Sequence, residues 1–407
     1  MNDLRPNRWQ LPDGVNELLP TEAWQVESLR RRIMDNSQRW GYELVMPPMI
    51  EYLESLLTGS GETLDLQTFK IIDQHNGRSL GIRADMTPQV ARMDAHALSS
   101  EHPSRFFYTG SALRTRTDGA GSSRTPLQFG AELFGHSGHE SDVEVIHLML
   151  DNIIVAGIDI STVLLDVGHV GVYSALIESA GLSPVVEKQI YTALVRGSYP
   201  EAMSVLRGDL ADDRSLSNLC HQIETLMQLS GGFAEVMGSA RETLGNSHPE
   251  VCSALDNLQA VLTSISALYP QLNIHIDLAE LRGYSYHTGM LFTLYDDSGS
   301  VLARGGRYDA IGEAFGKARP ATGFSGDLIR LSSLCATLSN HPEPEAKGIW
   351  AGSEQLSAEL AAYIKMLRDR GERVVTSLPG SSLTAQVCRC DRHLVWRDDQ
   401  WSVEAVS

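Results

Sequence analysis

Residues 108–135 read YTGSALRTRTDGAGSSRTPLQFGAELFG, two apolar strand-like runs on either side of a loop rich in glycine, serine and arginine. This pattern predicts an antiparallel hairpin. Side chains alternate along a strand, so Arg114 and Arg116 are expected on one face. Because neighbouring like charges repel, that spacing indicates an anion or a carboxylate between the two guanidinium groups.

The segments around this hairpin predict an α+β fold. Thr21 is a plausible N-cap for a first helix, and Ser141 with Glu144 forms a capping-box pattern for a second. The runs QTFKII (67–72) and SLGIR (79–83) predict another hairpin. Antiparallel strands with helices between and after them are typical of an α+β core.

The chain divides by pattern into a core and a tail. From about 171 to 270 the periodicity is helical, which predicts a helical insertion in a core spanning 1–340. A charged, proline-containing linker follows at 341–346. Beyond it, residues 347–407 predict a small α/β domain with a helix over 353–371, a strand on either side of that helix and a closing hairpin.

Composition limits the classes of function. The 407 residues carry 51 acidic and 33 basic side chains, a net charge of −18, which weakens any interpretation as a tRNA- or DNA-binding protein. No run of about 18 apolar residues predicts a membrane span, and the opening MNDLRPNRWQLPDG lacks a signal-peptide core. Five scattered cysteines, with only Cys388 and Cys390 close together, predict reduced thiols, no metal site and a cytoplasmic location.

Several familiar catalytic motifs are missing from the sequence. It contains no GxxxxGK[ST] phosphate loop, no GxSxG elbow, no HExxH and no paired CxxC. No glycine cluster follows a strand in the dinucleotide-binding pattern. We therefore predict no catalytic residue, no metal and no cofactor.

Four polar clusters interrupt the strand-like runs. They contain Arg83, Asp85 and Thr87; Arg114 and Arg116; Gln128 and Glu132; and Arg282, Tyr286 and His287. Taken singly, each cluster also fits a structural role, as a solvated strand face, the polar side of an edge strand, or a structural histidine. Taken together, the carboxylates and hydroxyls suit an ammonium group, while arginine and glutamine suit a carboxylate. The set predicts a pocket for a zwitterionic amino acid.

The chain resembles the class II histidyl-tRNA synthetases over about residues 10–335. YTGSALRTR…LQFGAELFG is similar to their motif 2 hairpin, and TGFSGDLIRL is similar to motif 3. GYELVMPPMIEY is similar to motif 1, with Pro48 at the dimer-forming proline. ELRGYSYHTG and ARGGRYD are similar to the two histidine-specific signatures. The resemblance implies a class II synthetase-like core, an antiparallel sheet flanked by helices, and a self-dimer.

The resemblance fails where the synthetases bind ATP. Arg116 stands in the place of the motif 2 glutamate that helps to position ATP. Motif 3 retains Arg330 but carries Asp327 and Ile329 in place of its other typical residues. A carboxylate at Asp327 opposes a triphosphate by about 1–4 kcal/mol at a few ångströms. These departures predict a chain that does not form aminoacyl-adenylate.

The amino-acid half of the synthetase site is better kept. The resemblance implies histidine-binding roles for Asp85, Thr87, Arg114, Gln128, Glu132, Arg282, Tyr286 and His287. Asp85 stands where the synthetases use a glutamate beside the ammonium group, and Arg282 matches the arginine that neutralises the carboxylate. Tyr286 and His287 match the tyrosine pair that faces the imidazole. The shorter acid and the Tyr-to-His change leave the fine specificity open.

The tail is shorter than the anticodon domain of a synthetase and has no basic stripe for RNA. Missing ATP chemistry, a kept histidine pocket and a reduced tail together resemble the regulatory subunits of ATP phosphoribosyltransferase. That resemblance implies a non-catalytic subunit in a hetero-octamer, which activates a short catalytic subunit and mediates feedback by free histidine in the first step of histidine biosynthesis. The alternatives are an active histidyl-tRNA synthetase or another amino-acid-activating enzyme, and both require ATP.

Overall fold

The computed structural model describes residues 9–59, 62–98, 100–117, 123–208, 214–245, 247–281, 283, 286–338, 347–352 and 357–406. The chain divides into two compact units, Met1–Leu338 and Ser339–Ser407. The strands of the first unit are β1 (Glu43–Leu44), β2 (Ile50–Tyr52), β3 (Phe69–Ile72), β4 (Ser79–Ile82), β5 (Ser104–Ser111), β6 (Leu127–Phe134), β7 (Leu164–His169), β8 (Ser230–Gly232), β9 (Asn273–Asp277), β10 (Met290–Tyr295), β11 (Val301–Arg307) and β12 (Ala321–Asp327).

Within the described residues, nine of these strands form the main sheet, in the order β1-β5-β6-β12-β11-β10-β7-β9-β8. Neighbouring strands are antiparallel except β1 with β5 and β7 with β9, which are parallel. The remaining strands form a small sheet in the order β2-β4-β3. The predicted hairpin of residues 67–72 and 79–83 is therefore confirmed as β3 and β4, which pair antiparallel.

The hairpin of residues 108–135 forms the second and third strands of the main sheet, counted from the edge strand β1. Strands β5 and β6 pair antiparallel, with Tyr108 opposite Gly130 and Phe106 opposite Glu132. Strand β6 is covered along nearly its whole length because β12 pairs on its other side. Gln128 and Glu132 are buried, so their interpretation as the polar side of an edge strand is wrong.

The helices of the first unit follow and separate these strands. They are α1 (Pro20–Arg39), α2 (Leu53–Leu56), α3 (Glu62–Gln67), α4 (Thr87–Arg92), α5 (His139–Ala156), α6 (Val170–Ala180), α7 (Pro184–Val195), α8 (Tyr199–Gly208), α9 (Arg214–Leu226), α10 (Phe233–Leu244), α11 (Pro249–Leu268) and α12 (Leu328–Leu338). Helices α6 to α11 occupy the predicted insertion. Strand β8 also lies there, although its Ser-Gly-Gly sequence shows no apolar alternation.

Helices α1, α5, α11 and α12 pack together over one face of the main sheet. Side chains of α5 such as Leu148, Met149 and Ile153 are fully buried there. Helix α11 is long and apolar enough to cross a membrane by length and composition alone. Many of its apolar residues, among them Leu255 and Leu258, are fully buried in the same core, so we interpret α11 as a core helix.

The start of α1 differs from the prediction. The helix begins at Pro20 and its N-cap is Leu19, so the N-cap assignment to Thr21 is wrong. Proline is favoured at the first helical position because its φ is already helical and its missing N–H would have had no helical partner. The Glu22 carboxylate accepts a hydrogen bond from the Leu19 N–H at 3.3 Å, which closes this end of the helix.

The start of α5 also differs. The helix begins at His139 after Gly138, so Ser141 is not its N-cap. Instead, the Ser141 hydroxyl donates to the Gly138 carbonyl at 2.7 Å. Glu144 does not complete a capping box either, since its carboxylate holds Arg105 of β5 at 2.6 Å. The helix was correctly located, but its first turn was placed too late.

The second unit contains β13 (Ile349–Ala351), α13 (Ala358–Asp369), β14 (Val374–Thr376), β15 (Arg392–Arg397) and β16 (Gln400–Ala405). Its described strands form a sheet in the order β14-β13-β15-β16, and β15 with β16 is an antiparallel hairpin as predicted. The helix is shorter than the predicted 353–371 because it begins after Ser357, whose hydroxyl accepts from the Leu360 N–H at 3.1 Å. Ile349, Leu360 and Ile364 belong to its core.

Candidate functional site

The face of the main sheet opposite the helical core is polar and rich in glycine. Residues directly opposite one another on neighbouring strands share a face. One such row contains Tyr108, Gly130, Ser325, Arg304, Thr293, Asp166 and His275. The parallel row two residues away contains Glu132, Gly323, Gly306, Leu291 and Gly168. The predicted site residues Gln128 and Glu132 lie on this face.

Glu132 is the buried centre of the site, with no exposed surface. Tyr108 donates its hydroxyl to one carboxylate oxygen at 2.9 Å, and Tyr308 donates to the other. Burial raises the pKa of Glu132 to about 8, although hydrogen bonds from Tyr308, Thr87 and Tyr108 oppose that rise. The carboxyl group is therefore close to the balance between its neutral and ionised forms near neutral pH.

Glycines on the neighbouring strands make room for this cluster. Gly323 lies directly opposite Glu132, and a Cβ atom at that position would overlap the carboxylate. A Cβ atom at Gly130 would overlap the hydroxyl of Tyr108. The two glycines therefore determine where the acid and the tyrosine can lie.

Asp85 and Gln128 form a second cluster beside the first. Gln128 donates its amide to Asp85 Oδ1 at 2.7 Å and accepts from the Met86 N–H at 3.1 Å. Asp85 Oδ1 also accepts the Thr87 N–H at 3.0 Å. The Thr87 hydroxyl lies 3.1 Å from the Tyr108 hydroxyl, which links this cluster to Glu132.

The interpretation of Arg83 and Asp85 as a solvated strand face is wrong. Strand β4 ends at Ile82, and α4 begins at Thr87. Arg83 is buried and donates to two carbonyl oxygens, that of Ser111 at 2.8 Å and another at 2.6 Å. We therefore interpret Arg83 as a structural residue, while Asp85 and Thr87 lie in the site.

Tyr286 and His287 lie against the same cluster. The Tyr286 ring stacks on Tyr308 with 5.2 Å between ring centroids, and the His287 ring meets Tyr286 edge-on at 5.3 Å. Burial raises the pKa of Tyr286, so this phenol stays protonated. Within the described residues its buried hydroxyl has no hydrogen-bond partner. A buried, unsatisfied donor of this kind is available to a bound polar group.

His287 is held in one protonation state. Its Nδ1 lies 3.2 Å from the Arg307 carbonyl oxygen, which can only accept, so Nδ1 carries the proton and Nε2 is an acceptor. Burial lowers the pKa of His287 to about 4, which keeps the ring neutral near pH 7. Arg307 itself is buried and its guanidinium contacts Asp142 at 3.0 Å. That ion pair fixes the strand end whose carbonyl orients His287.

The other half of the site contains the residues predicted to have lost ATP binding. Strand β5 ends at Ser111, so Arg114 and Arg116 do not share a strand face and that prediction is wrong. Arg114 instead lies in an isolated bridge to Thr68, and its Nε donates to the Ala84 carbonyl at 3.2 Å. Arg116 is exposed.

Asp327 caps the helix that follows it. Its Oδ1 accepts the Ile329 N–H of α12 at 3.0 Å and the Leu127 N–H at 3.2 Å. Burial raises the pKa of Asp327, while these hydrogen bonds and the charge of Arg114 act in the opposite direction. Arg330, one turn into α12, lies 3.9 Å from an Asp296 carboxylate oxygen. In this half of the site, Arg114 and Arg330 therefore each interact with a carboxylate.

The structure thus brings together Asp85, Thr87, Gln128, Glu132, Tyr286 and His287. Arg114 donates to the carbonyl of Ala84, the residue before Asp85. Arg282 lies outside the described residues. Sequence analysis missed Tyr108 and Tyr308, the two hydroxyl donors to Glu132. The available signals were the register of the hairpin for Tyr108 and the ARGGRYD signature for Tyr308. Across the described part of the chain, no group of three or more His, Cys, Asp or Glu side chains could hold a metal ion.

Two family models match the chain. The model described as histidyl-tRNA synthetase matches residues 14–331. The model described as the ATP phosphoribosyltransferase subunit HisZ C-terminal domain matches residues 346–404. The resemblance stated from the sequence motifs is confirmed by these matches.

Curated relatives match over nearly the whole chain. A protein of Thioalkalivibrio sulfidiphilus named ATP phosphoribosyltransferase regulatory subunit is 49% identical over 401 residues, covering 98% of this chain and 98% of the relative. A protein of Chromohalobacter salexigens with the same name is 45% identical, covering 98% and 99%.

Solved structures confirm the class II synthetase-like fold. An ATP phosphoribosyltransferase regulatory subunit/histidyl-tRNA synthetase from Bacillus halodurans is similar with a TM-score of 0.79 and 25% identity, covering 96% of this chain and 98% of that one. A histidyl-tRNA synthetase from Nostoc is similar in fold, with a TM-score of 0.73 and 18% identity over 98% of this chain and 97% of that one.

Proposed function

The chain belongs to the ATP phosphoribosyltransferase regulatory subunits, and from that premise we propose that it is the histidine-sensing, non-catalytic subunit of this enzyme in the first step of histidine biosynthesis. It activates a short catalytic subunit and transmits feedback inhibition by free histidine. Residues 1–340 form the sensing core, with a helical insertion at about 171–270, and residues 347–407 form a reduced C-terminal domain. The assembly is a cytoplasmic hetero-octamer, without tRNA or DNA as a ligand.

One observation carries this proposal. The buried carboxyl of Glu132, bonded by Tyr108 and Tyr308, lies in the same sheet as Asp327, which occupies the motif 3 position and is engaged as a helix cap. The first arrangement suits a small polar ligand in a dry site. The second places a carboxylate where a nucleotide phosphate would need a cation. The pair of arrangements supports binding of an amino acid without its activation.

The polar groups match the parts of histidine. Glu132, the Tyr286 hydroxyl and the neutral His287 can hydrogen-bond both imidazole nitrogens, since they include donors and acceptors. Asp85, oriented by Gln128 and the Thr87 N–H, is a fixed carboxylate for the ammonium group. Arg114, together with Arg282, supplies the cations for the carboxylate.

Feedback requires that histidine bind two arrangements of the complex unequally. A ligand shifts such an equilibrium only by its differential affinity. A tenfold preference for the inhibited arrangement supplies about 1.4 kcal/mol. The same coupling is reciprocal, so the complex in its inhibited arrangement must bind histidine more tightly than the active arrangement by the same factor.

The chain also self-associates through the region around motif 1. Strand β1 is an outer strand of the main sheet, and exposed apolar side chains follow it at Met46, Met49 and Ile50. Ile72 of the small sheet adds to this exposed apolar surface. An unpaired strand edge with apolar neighbours is suited to association. Sedimentation of Met49→Glu should give a smaller species than the wild type, while Glu313→Gln, an exposed control, should not.

The proposal is tested by calorimetry and by reconstitution. The purified chain, alone and with its short catalytic subunit, is titrated with histidine and, as a control, with alanine. We expect saturable binding of histidine, none of alanine, and inhibition of the reconstituted activity over the same histidine range. Absence of histidine binding at millimolar concentration, or unchanged activity of the complex when histidine is bound, would contradict the proposal.

A further inference from the structure

A serine, a histidine and an aspartate lie in line at the far end of the main sheet, away from the Glu132 cluster. His275 of β9 lies directly opposite Asp166 of β7, and its Nδ1 is 2.7 Å from Asp166 Oδ1. On its other side, His275 Nε2 is 3.3 Å from the hydroxyl oxygen of Ser230 in β8. The roles proposed for histidine sensing use none of these three residues.

The hydrogen bonds assign the proton positions. An ionised carboxylate only accepts hydrogen bonds, so His275 donates its Nδ1–H to Asp166. Nε2 then carries the lone pair and accepts the Ser230 hydroxyl proton. A base oriented by a carboxylate and directed at a hydroxyl is the arrangement that activates a serine nucleophile. The 3.3 Å distance is typical of such a pair before a substrate tightens it.

The array is open to solvent at the serine end and covered at the acid end. Ser230 is exposed, the side chain of His275 is 37% exposed, and that of Asp166 is 16% exposed. A reagent can therefore reach the hydroxyl, while Asp166 is shielded from solvent. This gradient of exposure is the one that a nucleophile and its supporting acid require.

The backbone beside Ser230 supplies donors for a developing negative charge. Ser230 is followed by Gly231 and by Gly232, which is the N-cap of α10 and has no side-chain cap. The first N–H groups of a helix have no acceptor within it. The helix dipole adds partial positive charge at the same end. Because these N–H groups follow Ser230 closely in the chain, we infer that they would stabilise an oxyanion formed on a group attached to Ser230.

We propose that Ser230, His275 and Asp166 form a reactive-serine site that accepts an acyl group from small activated esters. The Ser230 oxygen adds to the carbonyl carbon, and its proton passes to His275 Nε2. The leaving alcohol departs with that proton, which leaves an acyl ester on Ser230. Water then adds to the acyl carbon while His275 Nε2 takes its proton. The bond between that carbon and the Ser230 oxygen breaks, and the proton passes from His275 to the Ser230 oxygen, which releases the carboxylic acid. This chemistry is independent of histidine sensing.

The test is covalent labelling of the full chain with a fluorophosphonate, in which the serine oxygen displaces fluoride from phosphorus. Peptide mass spectrometry should place the label on Ser230. Replacing His275 by Gln should slow labelling about 100-fold, since a positioned general base contributes about 10²–10⁴-fold. The matched control is Ser161→Ala, which removes an exposed serine hydroxyl that donates to the carboxylate of Asp159, outside the array. Labelling of that variant should be unchanged.

Hydrolysis of p-nitrophenyl acetate provides a second readout, with a burst of p-nitrophenol that is lost in Ser230→Ala. Thermal unfolding checks that each variant folds, and Asp166→Asn replaces His275→Gln if the latter does not. Asp166→Asn should slow labelling at least tenfold, because the wrong tautomer of His275 becomes accessible. Labelling that is absent, spread over several serines, or unchanged by these substitutions would overturn the proposal.

Discussion

The two halves of the synthetase-like site have been altered in different ways. In the half around Glu132, side chains bond one another, with hydroxyls from Tyr108 and Tyr308 on a buried acid. In the half around Asp327, the acid is bonded by backbone N–H groups of Leu127 and Ile329. The first half keeps side-chain groups arranged for a ligand. In the second half, the Asp327 carboxylate instead caps the first turn of α12.

The largest expected difference between the halves is in the pH dependence of stability. The pKa of Glu132 is raised from 4.5 to about 8 in the folded chain. Between these values the folded state holds a proton that the unfolded state has released, so the contribution of Glu132 to stability is fully present below about pH 4.5 and is lost as the pH rises through about 8. The fall is at most about 5 kcal/mol, at about 1.4 kcal/mol per pKa unit.

Urea unfolding of the wild type and of Glu132→Gln, at about pH 5 and about pH 8, measures this effect. The variant lacks the titrating group, so the wild type should lose stability relative to it as the pH rises. Other ionisable groups are common to both chains and cancel in the difference. If the free energies of unfolding of the two chains change with pH in parallel, Glu132 does not titrate in this range. The expected difference between the two halves would then be wrong.

The second effect is on histidine affinity. Glu132→Gln replaces the carboxyl group that bonds Tyr108 and Tyr308, and it should weaken histidine binding by about 5- to 150-fold, the cost of leaving a buried polar group unsatisfied at about 1–3 kcal/mol. Titration calorimetry measures it, with Glu313→Gln, an exposed acid, as the control. Activation of the catalytic subunit should survive. Its loss together with histidine binding would make Glu132 a structural residue.

A smaller effect is expected from Asp327→Ala in the nucleotide half. The substitution removes the acceptor for the Ile329 N–H at the start of α12. Loss of such a cap costs about 1 kcal/mol, measured as the free energy of unfolding in urea. Histidine affinity should change by less than about twofold. A large loss of affinity would mean that the two halves are not independent.

The smallest effect is expected from Arg116→Glu, which restores the residue type that the synthetases use. Arg116 is exposed, and Asp327 remains in place, so the single substitution should not produce histidine-dependent exchange of pyrophosphate into ATP. The same assay on the wild type should also be negative. Exchange at an enzymatic rate in either chain would identify the protein as an amino-acid-activating enzyme and overturn the proposed function.

The fold was predictable where apolar and polar residues recur with a regular period along a whole strand or helix. The hairpin of β5 and β6 and its flanking helices follow from apolar periodicity, and the class II fold follows from the motifs. The caps of α1 and α5 were missed because Pro20 and Gly138 determine where the backbone enters each helix, and the polar residues that follow them have other partners. Cap assignment from residue type alone therefore placed the two N-caps two and three residues late.

The site was predictable in composition but not in contacts. Asp85, Gln128 and Glu132 were identified, whereas their linkage by Thr87 and Tyr108 depends on α4 starting where β4 has already ended. Tyr308 was missed because it is far from Glu132 in sequence and reaches it only through the pairing of β11, β12 and β6. Long-range register of this kind cannot be read from local periodicity.

The absence of a side chain at Gly323 has an evolutionary consequence. Because any Cβ there collides with the acid across the strand, positions 132 and 323 form an epistatic pair. A side chain at position 323 would also meet the backbone carbonyl oxygen of Ala131, at 2.7 Å, so loss of the acid alone does not make room for it. The glycine is therefore required by the sheet as well as by the acid.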